Sequence, residues 1–320
     1  MDGFMTTQLI YVAAKLGIAD LLNDGPRTGD ELAVEVGAQP QPLTRVLRDL
    51  AAVGVFAELE DGRFTLTELG DALRYMGGVA VARGEIYFHA AERLLDAVCD
   101  GGVPFELAHN VEFFDHLHSH PEQERVFQSA MSARSTNEAR ALVAVYDFTR
   151  FDRIVDIGGG QGVLLTTILE AARGATGVLF DRESVVAQAR SALTDSTVRS
   201  RLEFVGGDFF DHVPSGGDAY VLSRVLHDWD DDNAVRILQT CRAEMHQHAH
   251  LLIAETVLPR VAQDNPGAIR MDVLMLLLLR SRERTEQEFA ALLDAAGLEL
   301  MLVLPTGSAG GLSLLEARPI

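Results

Sequence analysis

Val155-Asp156-Ile157-Gly158-Gly159-Gly160-Gln161-Gly162 follows an apolar, strand-like run and opens a helical one. Glycines at such a turn let a ligand approach the backbone closely. A dinucleotide fingerprint reads G-x-G-x-x-G. Counted from Gly158, its third glycine falls on Val163, so the spacing here is G-x-G-x-G. Asp156 adds to the mismatch, because a carboxylate beside the loop opposes a pyrophosphate and suits a cation. Both features weigh against a nicotinamide dehydrogenase. S-adenosylmethionine fits better, since it carries a sulfonium and an ammonium and no phosphate. Asp181 ends the next strand-like run, 21 residues beyond Gly160, where an acidic residue suits ribose hydroxyls. Asp208 and Phe209 follow the third run and could take the adenine amine and ring face. A glycine loop alone is a weak signal. Asp156, Gly158, Gly160, Gly162, Asp181 and Asp208, in order at successive strand ends, make a specific one.

The fourth run ends in Leu222-Ser223-Arg224-Val225-Leu226-His227-Asp228-Trp229. Ligands of open α/β sheets sit at the carboxyl ends of strands, so topology alone directs His227 to the cleft. An imidazole, with an ordinary pKa of about 6.5, accepts a proton near neutrality. Glu255 ends the following run, and Glu283 stands two residues before a helix start. Carboxylates near a base hold it in one tautomer and stabilise it once protonated. A structural hydrogen bond is the bland reading of His227, and Glu255 beside it tips the balance toward a base. His116, His118 and His120 look like a metal tract only superficially, because residues two apart on a helix do not face each other. They read as a helix end before Pro121, and His246, His248 and His250 read as the approach to a strand. No metal is expected.

A parallel, doubly wound sheet must carry these residues. Strand-like runs cover 153–157, 177–181, 202–205, 219–223 and 251–256, and turns with helical or acidic stretches separate them. Thr285 and Glu288 make a capping box for a helix over 285–296. Strands over 298–304 and 312–317 close the chain as a reversed hairpin edge. The first 80 residues differ. An apolar helix is expected over 4–22, hydrophobic on nearly every face and therefore buried, by another subunit if not by its own chain. Shorter helices over 30–36 and 43–53 follow. Alternating runs then flank Asp61-Gly62, a strong hairpin signal. Helix, helix, helix, hairpin is a winged-helix pattern. The expected domains are a winged-helix-like dimerisation domain (1–85), a helical connector with substrate-pocket helices (86–147) and a cofactor-binding catalytic domain (148–320).

Composition narrows the function classes. The 320 residues hold 47 acidic and 27 basic side chains, a formal charge of −20. That field repels a phosphate backbone and an anionic membrane surface. The second helix of the winged pattern carries Arg45, Arg48 and Asp49 without a basic cluster, against DNA binding. Lys15 is the one lysine. Cys99 and Cys241 make no disulfide framework, which fits a reducing, cytoplasmic setting. The start MDGFMTTQL lacks the pattern of a signal peptide. The longest apolar run, 273–279, is far below the roughly 20 residues that span a membrane.

At these residues the chain resembles the small-molecule O-methyltransferases of the caffeic-acid type and their bacterial natural-product relatives. The likeness covers nearly the whole chain: entry helix, winged-helix segment, glycine loop, Gly207-Asp208, His227-Asp228-Trp229 and Glu283-Arg284-Thr285. The resemblance implies an α/β Rossmann-like S-adenosylmethionine fold with an N-terminal dimerisation domain and a homodimer. It implies His227 as general base, positioned by Glu255 and Glu283. It places cofactor contacts on Gly158, Asp181, Asp208 and Phe209, and the candidate set extends to Ser223, Arg224, Asp228 and Trp229. Phe127 and Met131, four apart on one helical face, fall at substrate-contacting positions. Met275 is a further acceptor candidate, and for all three an ordinary core role competes. The chain departs from plant relatives at Ser223, where they often have Lys, and at Arg280-Ser281-Arg282, where they usually have Gly-Gly-Lys. The implied reaction moves a methyl group from S-adenosylmethionine to a phenolic or enolic hydroxyl of an aromatic small molecule, leaving S-adenosylhomocysteine. The alternatives are N-methylation, a non-methylating decarboxylation or hydroxylation on the same fold, and a winged-helix ligand-sensing regulator.

Overall fold

The computed structural model describes residues 2–308 and 311–320, leaving aside the side chains of 129, 130, 132 and 133. The chain divides into two compact units, Met1–Ala133 and Arg134–Ile320.

In the first unit, the single helix expected over 4–22 is two helices, α1 (Gly3–Lys15) and α2 (Ile18–Asn23). Gly17 stands between them at φ 65°, a left-handed conformation that ends a helix and that glycine adopts without penalty. The expected all-round burial does not hold within the chain either. Ala13 is the one buried residue of α1, and Phe4 is 62% exposed. β1 (Arg27–Thr28) leads into α3 (Gly29–Val36), whose start Thr28 and Glu31 close with a reciprocal capping box. α4 (Pro40–Ala52) buries Leu43, Leu47 and Leu50 on one stripe. The Asp61-Gly62 turn joins antiparallel β2 (Phe56–Glu58) and β3 (Arg63–Leu66), as the alternation predicts. β1 adds to the other edge of β3. Its two residues are too few to leave a periodic signal. Helices α5 (Glu68–Gly84), α6 (Ile86–Ala91), α7 (Leu94–Asp100), α8 (Pro104–His109) and α9 (Phe113–Ser119) follow. α9 ends before Pro121, and α10 (Pro121–Val145) carries the chain through the boundary between the units.

The second unit begins its sheet with β4 (Arg153–Ile157), then α11 (Val163–Ala171), β5 (Thr176–Asp181), α12 (Glu183–Ala192), β6 (Leu202–Gly206) and β7 (Ala219–Ser223). It continues with α13 (Asp231–Glu244), β8 (His250–Leu258), α14 (Pro266–Leu278), β9 (Arg284–Thr285), α15 (Glu286–Ala295), β10 (Leu298–Pro305) and β11 (Leu312–Pro319). The strand order is β10-β11-β8-β7-β4-β5-β6. Strands β4 to β8 are parallel, and β11 and β10 turn the edge antiparallel. Alternate residues feed two cores. Val155, Ile157, Val178, Leu222 and Ile253 face α13 and α15, while Ile154, Leu179, Val221 and Ala254 face α11 and the end of α10. Burial on both faces is why these strands read as continuous apolar runs. Order reverses between β4 and β7, which makes their carboxyl ends the topological switch point where such sheets bind ligands.

Candidate active site

The glycine loop leaves β4 at that switch point. Gly158 and Gly159 donate from their amides to the carbonyl of Phe180, at 2.8 and 3.2 Å. Gly160 donates to Asp181 Oδ2 at 2.9 Å. Gly158 and Gly160 have φ of 69° and 56°. A Cβ on Gly158 would lie 2.8 Å from Val225 Cγ2. The backbone is therefore left-handed at both glycines and, at Gly158, also without room for a side chain. Asp156 lies beneath the loop, 1% exposed, and its Oδ2 has no hydrogen-bond partner. Burial, with Asp181 nearby, pushes its carboxyl up to about 7. A buried carboxylate with a spare oxygen under a bare backbone cradle suits a cationic ligand and repels a pyrophosphate. The donor set thus fits S-adenosylmethionine. Asp208 Oδ1 takes the amide of Phe210 at 2.9 Å. Phe209 and Phe210 meet Trp229 edge to face, with centroids 6.0 and 4.8 Å apart.

Across the switch point, β7 ends at Ser223 and the chain tightens into a one-turn helix, Leu226–Asp228. Glu255 organises this turn from β8. Its Oε1 accepts the amides of Val225, Leu226 and His227 at 2.9, 2.9 and 3.4 Å. His227 is 8% exposed. Its Nδ1 lies 3.4 Å from Glu283 Oε1 and 3.6 Å from Glu255 Oε2. Its Nε2 lies 3.5 Å from Asp228 Oδ1. Burial alone would lower the imidazole pKa, but Glu255, the hydrogen bond to Glu283 and the charge of Asp228 outweigh it and hold it up at about 9. Burial raises the Glu255 carboxyl in turn. The imidazole thus has two carboxylates at Nδ1 and a third at Nε2. Among the described residues, these three form the one group of His, Cys and carboxylate donors close enough to share a cation, all within 4.8 Å.

The structure thus brings His227, Glu255 and Glu283 together, and separately gathers Asp156, the glycines and Asp181. Met275 is buried on α14 of the same unit. Phe127 and Met131 belong to the first unit, where the Phe127 ring packs on Phe113 and Phe114. Two supports of the triad leave no mark in the sequence: Asp272, and Arg224 in a role other than the cofactor contact expected of it. Asp272 Oδ1 on α14 takes the Glu283 amide at 2.9 Å. Arg224 spends its guanidinium on Glu138, Thr256 and Glu283. Neither pairing has a local spacing that could announce it.

Comparison with known proteins identifies the family. A family model described as an O-methyltransferase domain matches residues 91–299, and one described as an O-methyltransferase dimerisation domain matches 1–74. A phenazine O-methyltransferase of Lysobacter antibioticus is 44% identical, over 100% of this chain and 94% of that protein. An 8-amino-8-demethylriboflavin N,N-dimethyltransferase of Streptomyces davaonensis is 37% identical, over 93% and 88%. A solved methyltransferase of calicheamicin biosynthesis, in an S-adenosylhomocysteine-bound form, superposes with a TM-score of 0.90 at 34% identity and covers 100% and 96% of the two chains.

Proposed function

The chain belongs to the S-adenosylmethionine-dependent O-methyltransferase family, and from that premise we propose that it methylates a phenolic or enolic hydroxyl of an aromatic natural product, with His227 as general base. The observation that carries the reading is the buried imidazole whose Nδ1 faces two buried glutamates while its Nε2 lies 3.5 Å from Asp228 Oδ1. S-adenosylmethionine, when bound, supplies an electrophilic methyl group. Asp156, the glycine loop and Asp181 hold it, and Asp208, Phe209, Ser223, Asp228 and Trp229 complete the proposed set. His227 takes the hydroxyl proton at Nε2. Glu283 and Glu255 then share the positive charge of the imidazolium.

The raised basicity suits this acceptor. A phenol titrates near 10 by analogy with tyrosine, so transfer to a base of about 9 is uphill by only about 1.4 kcal/mol. An aliphatic hydroxyl is far less acidic and would leave most of that step unassisted. Phe127, Met131 and Met275 are the proposed acceptor contacts, since aromatics and Met suit a flat ring. The functional unit is proposed as a homodimer through the first unit, where the dimerisation model matches.

An amine acceptor is the second reading, because a relative of 37% identity carries an N,N-dimethyltransferase name. An amine attacks without first losing a proton and needs less of His227. The test is His227→Ala, assayed with a phenolic and an arylamine acceptor. Turnover on the phenol should fall by about 10² to 10⁴, the usual contribution of a positioned base. Affinity for S-adenosylhomocysteine, followed by calorimetry, should stay. Phenol turnover within a few-fold of wild type would end the base assignment.

A further inference from the structure

Arg224 stands out in the backbone before it does so by charge. Its φ is 57°, and Asn110 is the other non-glycine at positive φ among the described residues. Asn visits that region with some ease, while Arg does so rarely. The surroundings of Arg224 must therefore hold it there. They do so through its guanidinium. Nη2 donates to Glu138 Oε1 at 2.6 Å and Nε to Glu138 Oε2 at 3.3 Å, a two-pronged pair. Nη1 donates to Thr256 Oγ1 at 2.7 Å and lies 3.5 Å from Glu283 Oε1. Glu138 Oε1 also accepts from Arg134 Nε at 2.8 Å. Glu138 and Arg224 are largely buried, and Glu283 is fully so. Water does little to screen this row of alternating charges.

Resting on the base assignment made above, we propose that Glu138 and Arg224 are positioning residues: they seat Glu283 against His227 and set how firmly the imidazole holds its proton. His227 is faced by Glu255 from β8, by Glu283 from the segment before β9 and by Asp228 from its own turn. Arg284, next in sequence to Glu283, is committed elsewhere, to the carbonyls of Leu226 and Trp229 and to Asp231. Arg224 is thus the cation that competes with His227 for Glu283. Glu138 draws on that cation from the other side. Loss of Glu138 releases Arg224 toward Glu283, so His227 gives up its proton more readily. Loss of Arg224 leaves Glu283 to His227 alone, so the proton is held more tightly. The two substitutions act in opposite directions, which a generic loss of packing does not produce.

The experiment is an NMR titration of the His227 ring in the full-length protein, assigned by the signal missing from His227→Gln. Glu138→Gln should lower the midpoint by about one pH unit, the scale expected for one charge several ångströms away. Arg224→Asn, chosen because Asn tolerates the left-handed backbone, should raise it. Glu138→Asp shortens the carboxylate, loosens the pair and should give a smaller downward shift in a chain that keeps its charge. That variant carries the test if Glu138→Gln does not fold. Midpoints that move the same way, or do not move, overturn the proposal. The titration reads the resting protein and needs no methyl transfer. Failure of the base assignment would instead appear as retained phenol turnover in His227→Ala, with these shifts intact.

Discussion

At the scale of single residues, the site surrounds the proposed base with carboxylates that hold its proton. His227 at about 9 is mostly imidazolium at neutral pH, with about 1% in the form that can accept a proton. The rate constant kcat/KM, which reports the free enzyme, should therefore climb about tenfold per pH unit from pH 7 and level off near 9. A profile flat from pH 6 to 9 would contradict a base with that basicity. The same shift bears on stability. A group whose folded pKa is raised stabilises the fold fully below its unfolded value of about 6.5, and that contribution is lost as pH climbs through about 9. Thermal unfolding of wild type should accordingly lose ground to His227→Gln between pH 6.5 and 9.5. The triad also poses a metal question, because its three donors lie within 4.8 Å. Glu255 gives one oxygen to three backbone amides and faces the imidazole with the other, a geometry made for holding a protonated ring. Dialysis against a chelator should leave turnover unchanged. A loss restored by one divalent ion would reassign the three residues as its ligands.

At the scale of elements, the loop after β4, the proposed cofactor loop, is where backbone shape should decide binding. Gly158→Ala places a methyl group 2.8 Å from Val225 in a left-handed conformation, and Val225 belongs to the turn that carries His227. Gly174→Ala meets nothing within 4 Å and has no positive φ. The first substitution should weaken S-adenosylhomocysteine binding at least tenfold by calorimetry and the second should leave it unchanged. Equal effects would mean that loop shape is not what binds. The same contrast explains what the sequence could disclose. β4, β5 and β7 were legible because both faces are buried and their runs are short and apolar. The α15 start was legible because Thr285 and Glu288 form a local motif, which the structure closes reciprocally. His227 and Glu255 were legible because neighbouring strands bring their carboxyl ends together. The break at Gly17 was not legible because a single glycine inside an apolar periodic run looks tolerable until its φ is known. β1 and β9 have two residues each and no period. Glu138 and Arg224 meet across 86 positions, and only the folded chain brings them into register.

At the scale of the whole molecule, association must overcome charge. Two copies of a chain at −20 repel each other, so a homodimer needs apolar contact rather than ion pairs to persist. The first unit offers it. Phe4 and Met5 on α1, and Leu69, Tyr75 and Met76 on α5, are exposed in the single chain. The dimerisation model matches residues 1–74, and a stable interface buries roughly 1,200–2,000 Å² in all. Light scattering should therefore give about twice 34.8 kDa at micromolar concentration. Salt should tighten the dimer. Screening shortens from about 10 Å at 0.1 M to about 3 Å at 1 M, removing repulsion while leaving apolar burial intact. Phe4→Glu with Tyr75→Glu adds charge where the apolar contact is expected and should give monomers. The proposed cofactor loop lies in the second unit, which has its own core. Such monomers should therefore still gain thermal stability from S-adenosylhomocysteine. Dissociation by salt would point to a polar interface instead. A monomer in wild type would leave the exposed apolar residues of α1 and α5 with some other role.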